Sequence, residues 1–486
     1  MKIGVVGGGL AGMAAALACA DAGAEVTLFE KRARLGGLTW SFEHGGLTMD
    51  NGQHVFLRCC TAYLEFLRRI GSSADVSLQD RLDVTVIRNG KRARLARNSL
   101  PAPFHLAQSL LGYSLVPLAQ RARLGLAAAA LARLDLDDPA LDDQTFEQWL
   151  RRHHQGSEAI TELWDLICLA TVNVPASAAS LAMAAKVFQT GLLTSAPAGD
   201  IGWSLLPLGE LHGRRGKMAL EHSGVHVRMG DGVESVAQVE EGWVLRTSTG
   251  ELAVDAVVVA LPHYLVEGVL PVAALQSNPS VLGSSPIVNV HVHFDRRVTT
   301  LPLAAGDGFA QWVFDRTASS GAGRGQYLAV SVSGADDYIG RRPEELGRMA
   351  VDALTAMFPL ARSAQVLSSF VTREHNATYR AVPGSGRERS SPRSRLAGLA
   401  IAGAWTSTGW PPTMEGAVRS GNAAANAALA AARARHGYSA PTKMHASTGT
   451  YAGTGSAAST QSSTSGPGLP PAQGLLPTPA LAQEDS

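Results

Sequence analysis

Apolar runs and glycine-rich turns alternate in the first thirty residues. Residues 2–6 form an apolar run of strand length, and residues 24–29 form a second one. Between them, glycines are followed by the small residues of 11–22, which suit a tightly packed helix. This pattern predicts a strand, a turn, a helix and a second strand, which is the start of a βαβ unit.

The turn of this unit carries Gly7, Gly9 and Gly12 in the pattern G-x-G-x-x-G. The first glycine permits a tight turn, the second lets backbone N–H groups approach a diphosphate, and the third lets the helix pack closely on the strand. Glu30 ends the second strand, where its carboxylate can accept hydrogen bonds from an adenosine ribose. A plain loop between packed elements is the alternative interpretation. The nucleotide-binding residues predicted from this unit are Gly7, Gly9, Leu10, Ala11, Gly12, Glu30 and Lys31.

The spacing of apolar positions predicts both helices and strands along the rest of the chain. Asp142 or Asp143 is the predicted N-cap of the helix over 142–152. The predicted helices are 63–70, 105–136 with a break near Pro117, 142–152, 158–171, 178–193 and a long one ending near 435. The predicted strands are 84–95, as a hairpin turning at Asn89–Gly90, and 225–228, 232–236, 243–247, 254–260, 287–294, 309–314, 326–333 and 399–405.

Charge and cysteine content narrow the class of protein. Lys and Arg total 42 and Asp and Glu total 41, so the net charge of +1 gives no indication of nucleic-acid binding. The four cysteines have no metal-ligand spacing. His291 and His293 share one face of a predicted strand, but no third ligand is nearby, so no metal site is predicted. No uninterrupted apolar stretch reaches membrane-spanning length, and we expect a cytoplasmic protein.

Two motifs at opposite ends of the chain resemble one superfamily of flavoproteins. Arg34, Gly36 and Gly37 form R-x-G-G directly after Glu30, which resembles the FAD-binding start of the flavin amine oxidase and phytoene desaturase superfamily. Residues 414–421 read M-E-G-A-V-R-S-G, which resembles the closing signature of that superfamily. The start of this helix would face the flavin, where its dipole stabilises negative charge.

The resemblance implies an α/β fold with α+β elements and FAD as the cofactor. A Rossmann-like FAD-binding domain of the glutathione-reductase and amine-oxidase type would carry a substrate domain of mixed sheet and helical lid. The implied FAD-binding segments are 1–71, 216–275 and 386–436, and the implied substrate segments are 72–215, with the helical lid, and 276–385. The further implied cofactor-binding residues are Arg34, Gly36, Gly37, Gln53, Val233, Gly403, Met414 and Glu415. Leu38 stands where the superfamily usually has an arginine, and Ala404 where it usually has an aspartate.

Residues 50–63 and the turn Asn173-Val174-Pro175 resemble one branch of the superfamily, the hydroxysqualene dehydroxylases, also described as squalene-associated FAD-dependent desaturases. This implies reductive removal of the allylic hydroxyl of hydroxysqualene to give squalene, in hopanoid or triterpenoid biosynthesis. The implied partners are a long-chain isoprenoid substrate and an unidentified electron donor. His54 is the leading proton donor and Asp50 the second.

Three alternatives stay open at this point. A carotenoid desaturase or isomerase would share most of the same motifs, and so would a non-catalytic flavin-binding or isoprenoid-binding protein.

The apolar, arginine-bearing stretch 105–136 would suit either core packing or peripheral contact with the inner face of the cell membrane. The Ser, Thr, Ala, Gly and Pro content of 437–486 predicts a disordered tail.

Overall fold

The computed structural model describes residues 1–306 and 308–437, so the predicted tail lies outside the described residues except for Gly437. The strands are β1 Lys2–Val6, β2 Glu25–Glu30, β3 Ser41–His44, β4 Leu47–Asp50, β5 Val55–Leu57, β6 Val76–Leu78, β7 Asp83–Arg88, β8 Lys91–Ala96, β9 Ile201–Ser204, β10 His226–Met229, β11 Val233–Val239, β12 Gly242–Thr247, β13 Gly250–Val254, β14 Ala256–Val259, β15 Ser284–Phe294, β16 Leu303–Ala305, β17 Trp312–Asp315, β18 Gln326–Ser333, β19 Val366–Tyr379 and β20 Leu399–Ile401. The α-helices are α1 Leu10–Asp21, α2 Thr61–Arg69, α3 Ala107–Leu111, α4 Leu118–Leu131, α5 Phe146–Arg152, α6 Ser157–Ala159, α7 Asp165–Val172, α8 Leu181–Phe188, α9 Arg215–His222, α10 Thr317–Ser320, α11 Pro343–Met357, α12 Ser385–Glu388 and α13 Met414–Arg435.

A parallel sheet gathers strands from four distant parts of the chain in the order β10-β2-β1-β14-β20. Because all five strands are parallel, their carboxyl ends lie at one edge, where ligands bind in open α/β sheets. α1 and α13 cross closely beside this sheet: a Cβ atom added at Gly421 would lie 2.1 Å from the carbonyl oxygen of Ala11. The chain returns three times to complete this one parallel sheet.

A second, seven-stranded sheet has the order β19-β15-β18-β17-β16-β7-β8, and its central strand pairs are antiparallel. Alternate residues of β15 face different surroundings, as the two-residue period of a strand requires. Val288, Val290 and Val292 are buried in an apolar cluster that includes residues of α11. Asn289 and His291 are also buried, on the opposite face. This polar face is the one that meets the loop after β4.

Helices α3 to α8 form the helical segment between β8 and β9. Asn173 follows the last residue of α7 and has the left-handed conformation, at φ 61°. Its side chain donates to the Ser285 carbonyl oxygen at 3.0 Å and accepts from the Gly334 N–H at 2.7 Å. The turn of the Asn-Pro motif therefore ties the helical segment to the seven-stranded sheet. No helix among the described residues is long and apolar enough to cross a membrane.

Several predicted boundaries were wrong. α5 begins after Thr145, whose hydroxyl accepts from the Gln148 N–H in a capping box, whereas Asp142 accepts from the Ser180 hydroxyl at 2.5 Å. Residues 178–193 form α8 only from Leu181, followed by a π-helical turn at Gln189–Leu193. The stretch 105–136 divides into α3 and α4 on either side of 112–117. The division into FAD-binding and substrate segments stays a proposal.

Candidate active site

The glycine-rich loop follows β1 at the carboxyl edge of the parallel sheet. A Cβ atom added at Gly12 would lie 1.8 Å from the Gly7 carbonyl oxygen, and one at Gly7 would lie 2.6 Å from the Ala260 carbonyl oxygen. Gly9 differs, because its added Cβ would approach nothing closer than 3.7 Å, the distance to Gly37 Cα. Gly7 and Gly12 are therefore required by packing, whereas a methyl group at Gly9 would make only an ordinary contact with Gly37.

Glu30 and the following glycine pair are tied to this loop. Glu30 Oε2 accepts from the Gly8 N–H at 2.7 Å, and Oε1 accepts from the Arg32 N–H at 2.9 Å. The Gly36 N–H donates to the Gly8 carbonyl oxygen at 2.9 Å. Each carboxylate oxygen retains a second lone pair, so the predicted contact of Glu30 with a ribose stays a prediction.

An open cleft of about 640 Å³ lies beside the loop and is lined by Arg32, Ala33, Arg34, Trp40 and Glu374. The guanidinium of Arg34 stacks 4.1 Å above the ring of Trp40, and one of its N–H groups donates to the Gly37 carbonyl oxygen at 3.1 Å. Burial and the charge of Arg32 lower the pKa of Arg34 to about 10. Two arginines at the rim of the glycine loop suit a diphosphate.

Lys31 and Val233 lie at the same edge of the sheet. Lys31 is exposed, and a Cβ atom added at Gly232 would lie 3.0 Å from its Cβ. The half-buried Val233 begins β11, whose pairing with β12 is irregular between Val233 and Ser235. Both stay predicted cofactor contacts.

The segment between β20 and α13 closes the edge. Gly403 has φ +141°, and its N–H donates to the Ser420 hydroxyl oxygen at 2.8 Å. The buried Arg389 donates to the carbonyl oxygens of Thr406 at 2.6 Å and Trp410 at 2.8 Å. Arg389 could not be found from sequence motifs, because its partners are backbone oxygens. Its charge orders the loop that precedes α13.

Met414 and Glu415 begin α13, where backbone N–H groups of a first helical turn have no intrahelical partner. The Glu415 carboxylate is buried and accepts from the N–H groups of Ala62 at 3.1 Å and Tyr63 at 2.7 Å. It also pairs with Arg419 at 2.6 Å. The Glu415 side chain thus caps α2, and a cofactor contact at this residue is left to its backbone.

Asp50, the second predicted proton donor, is buried and fully engaged. Its Oδ1 accepts from the Ser41 hydroxyl at 2.6 Å and the Leu208 N–H at 2.8 Å. Its Oδ2 pairs with Arg316 at 3.0 Å, and both side chains are at least nine-tenths buried. Because both carboxylate oxygens already bind neighbouring segments, an anchoring role for Asp50 is favoured over proton donation.

His54 lies four residues further on, in a crevice that it shares with Asp50, Gln53 and Arg316. Burial lowers the pKa of His54 below its usual 6.5, while the charge of Asp50 and a hydrogen bond to the Leu38 backbone oppose that change. The imidazole is therefore mainly neutral at neutral pH and can donate an N–H.

A second histidine lies behind His54. His212 is fully buried in a π-helical turn, Gly209–Arg214, and its Nε2 is 2.8 Å from the Tyr63 hydroxyl. Burial, together with the nearby His54, lowers the pKa of His212 to about 3. His212 is thus a neutral neighbour of His54. Sequence spacing gave no signal for it.

Opposite this crevice, a chain of side chains reaches the Asn51 carbonyl oxygen from the seven-stranded sheet. Thr372 donates its hydroxyl to that oxygen at 2.9 Å, and His291 Nε2 lies 3.1 Å from the Thr372 hydroxyl. His291 Nδ1 lies 2.5 Å from the Tyr327 hydroxyl. Asn289 also donates to the Asn51 carbonyl oxygen, at 3.4 Å. The loop of Asp50 to His54 is thus held from both sides.

Comparison with known proteins shows the family to which a chain with this site belongs. The model of the family described as flavin containing amine oxidoreductase matches residues 10–429. This chain belongs to that family. It is an FAD-dependent oxidoreductase.

Two groups of relatives resemble this oxidoreductase over most of its length. A zeta-carotene desaturase of Zea mays is 25% identical over 477 residues, which cover 87% of this chain and 82% of the relative. A hydroxysqualene dehydroxylase of Rhodopseudomonas palustris is 26% identical over 456 residues, which cover 88% of this chain and 99% of the relative. The two identities do not separate these reactions.

Solved structures confirm the α/β fold class predicted for this oxidoreductase. A putrescine oxidase superposes with a TM-score of 0.66 at 19% identity, over 88% of this chain and 99% of that one. A putative protoporphyrinogen oxidase from Exiguobacterium superposes with a TM-score of 0.65 at 17% identity, over 87% of this chain and 98% of that one.

The residues of this flavoprotein fit FAD on two observations. A Cβ atom added at Gly9 would enter the space beside the glycine-rich loop, and Arg34 is at the rim of that loop. Within the described part of the chain, Gln53 Nε2 and Asn289 Oδ1 are also buried without a hydrogen-bond partner, and either FAD or a substrate could satisfy them. A buried donor and a buried acceptor without partners are unfavourable unless a bound group satisfies them. Arg34, together with the main chain of Gly9 and Met414, would hold the cofactor despite Leu38 and Ala404.

Proposed function

We propose that this oxidoreductase removes the allylic hydroxyl of hydroxysqualene and forms squalene. The observation that carries the proposal is the polarity of the crevice around the loop of Asp50 to His54. Its lining includes buried hydrogen-bonding groups, among them the unpartnered Gln53 Nε2. Desaturation of a hydrocarbon offers no partner to such groups, whereas a departing hydroxyl does. The dehydroxylase relative and the resemblance of residues 50–63 to that branch also support it.

The reaction consumes two electrons and two protons and releases water. FAD, once bound and reduced by the electron donor, would supply the electron pair and one of the two protons as a hydride to the carbon. In our proposal His54 donates the proton to the departing oxygen, and the pair of Asp50 with Arg316 holds the loop in place. His212 stays neutral behind His54, so that no second buried positive charge opposes protonation there. The long apolar remainder of the substrate would lie among the apolar side chains of the helical segment, where burial contributes about 25 cal/mol per Å².

Peripheral contact with a membrane is part of the proposal, because the substrate is a lipid. Large apolar side chains are exposed together in one stretch of the chain. We call this set the apolar surface: Leu100, Phe104, Leu111, Leu118 and Leu126, each at least half exposed. Leu118 and Leu126 lie eight residues apart on α4, and so share one face of that helix.

One experiment tests the function. The holoprotein is reduced without oxygen and mixed with hydroxysqualene, and the product is identified by mass spectrometry. We expect squalene together with reoxidation of the flavin. A matched reaction of the oxidised holoprotein with phytoene or zeta-carotene tests the desaturase alternative, which the Zea mays relative supports. Carotene desaturation without squalene formation would exclude our proposal, and binding of isoprenoids with neither product would favour a non-catalytic protein.

A further inference from the structure

Asn289 is a buried polar residue for which neither the sequence motifs nor the comparisons assign a role. It is 1% exposed and lies on β15, on the face opposite the apolar cluster under α11. Its neighbours on that face are half-buried Ile287 and buried His291. An amide at this position costs free energy unless its polar atoms find partners.

The orientation of the Asn289 amide follows from its contact with Asn51. A backbone carbonyl oxygen only accepts hydrogen bonds, so the group that faces it at 3.4 Å must be the Nδ2 donor of Asn289. Its Oδ1 is therefore the atom that accepts no hydrogen bond from any of the described residues. The unused capacity of this side chain is an acceptor.

The Asn289 amide that carries this acceptor lies close to the proposed proton donor. A Cβ atom added at Gly52 would be 3.2 Å from Asn289 Nδ2 and 3.7 Å from His54 Nε2. Both side chains thus approach the same side of Gly52, which carries no side chain to fill the space. A small polar group beside Gly52 could reach both of them.

Asn289 is also held firmly. The Asn51 carbonyl oxygen that fixes its Nδ2 is fixed in turn by the Thr372 hydroxyl at 2.9 Å. Thr372 is held by His291 at 3.1 Å, and His291 by Tyr327 at 2.5 Å. An acceptor held in one orientation loses little freedom when a donor binds it, which favours discrimination between ligands.

We propose that Asn289 determines specificity by accepting the O–H hydrogen of the substrate alcohol, while His54 donates to the same oxygen. The inference rests on the proposed function. The ligand class is a long apolar chain with one hydroxyl, and a hydrocarbon of the same skeleton leaves Oδ1 unpaired. A site that hydrogen-bonds a hydroxyl rejects the analogue without it more strongly than an apolar pocket rejects one methylene.

Binding to the oxidised holoprotein tests this without turnover. Hydroxysqualene and squalene share one skeleton, and each is titrated while the flavin absorbance is followed. We expect the alcohol to bind about tenfold to hundredfold more tightly than squalene. Asn289→Leu should remove this preference, and His293→Leu, on the same strand and face, should keep it. Equal affinity of the wild type for both ligands would overturn the inference.

An N–H group of the flavin ring could also donate to Asn289 Oδ1 in place of the substrate hydroxyl. Two further measurements distinguish these two donors. If Asn289→Leu retains less FAD or shifts the flavin absorbance before any ligand is added, the partner is the cofactor and the inference is wrong. If that variant does not fold, Asn289→Ser replaces it in the titrations. The relative affinity of the wild type for hydroxysqualene and squalene tests the inference in either case. Turnover of hydroxysqualene by the reduced wild type tests the proposed function separately. If Asn289→Leu turns over hydroxysqualene with an unchanged kcat/KM, the inference about Asn289 is contradicted while the proposed function stands.

Discussion

The carboxylate of Glu415 accepts a hydrogen bond from the backbone N–H of Tyr63, 352 residues earlier in the chain, at 2.7 Å. This contact joins the first turn of α13 to the first turn of α2. His54 lies immediately before β5, and α2 is the next helix after β5. The closing motif of the family therefore contributes to the active site by fixing another element, in addition to any contact of its backbone with the flavin.

Substitution of Glu415 should affect stability more than cofactor binding. Glu415→Gln removes the charge that pairs with Arg419 and leaves one of the α2 N–H groups without its acceptor. We expect the free energy of unfolding to fall by about 1–3 kcal/mol, measured by denaturant titration. Glu221→Gln, which alters an exposed pair with Lys217, is the control and should change little. Unchanged stability with weaker FAD binding would show that the side chain contacts the cofactor.

Gly9 and Gly12 should respond differently to the same substitution. Gly9→Ala places a methyl group at an ordinary contact distance of 3.7 Å from Gly37 Cα, and Gly9 has an ordinary backbone conformation, so the protein should fold but exclude the diphosphate. Gly12→Ala places a methyl group 1.8 Å from the Gly7 carbonyl oxygen and should prevent correct folding. Flavin absorbance and circular dichroism of the purified variants distinguish the two outcomes. A yellow, fully loaded Gly9→Ala protein would contradict the proposed phosphate site.

The close packing at Gly12 could be predicted from the sequence because its contact, the Gly7 carbonyl oxygen, is local. β18 has the predicted bounds Gln326–Ser333, and the hairpin of β7 and β8 turns at Asn89–Gly90, since each depends on neighbouring residues. The N-cap of α5 was mispredicted because the Asp142 carboxylate binds the Gly386 N–H, 244 residues away. Arg316 and Asn289 have no sequence signal for the same reason. Their partners are distant in the chain.

The tautomer of His291 follows from its hydrogen-bond chain and can be tested. Thr372 gives its only hydroxyl hydrogen to the Asn51 carbonyl oxygen, so it must accept from His291 Nε2–H. Burial lowers the pKa of His291 to about 3, so the imidazole is neutral and Nδ1 accepts from the Tyr327 hydroxyl.

His291→Gln should be tolerated better than His291→Asn. The Gln amide can place an N–H near the position of Nε2, whereas the Asn amide is too short and mimics Nδ1. We expect kcat/KM to fall about tenfold further in the Asn variant, as for the loss of one buried hydrogen bond. The pH profile should be the same in the wild type and the Gln variant, because His291 stays neutral above pH 4. His293→Gln serves as the control, and equal activity of all three variants would exclude a positioning role.

The rate should depend on pH through His54. Burial lowers its pKa below 6.5, so the protonated fraction rises as the pH falls through that pKa and declines above it. If His54 donates the proton in the slow step, the anaerobic rate of flavin reoxidation by hydroxysqualene should increase as the pH falls. His54→Gln should flatten this dependence and lower the rate about 10²-fold to 10⁴-fold while FAD stays bound. A variant with the wild-type rate would remove His54 from the mechanism.

The apolar surface should bind lipid bilayers. Leu118 is 75% exposed and Leu126 is 72% exposed, and the exposed Arg123 lies on the same helix, where it can meet anionic headgroups. Insertion of a leucine side chain is favourable by about 1.5–3 kcal/mol at full burial. The double variant Leu118→Gln/Leu126→Gln should therefore bind vesicles of anionic phospholipid at least about tenfold more weakly in a sedimentation assay. Leu360→Gln removes a leucine that is 61% exposed in another part of the chain, and this variant should bind like the wild type. Equal vesicle binding of the double variant and the Leu360 control would mean that α4 does not face the membrane.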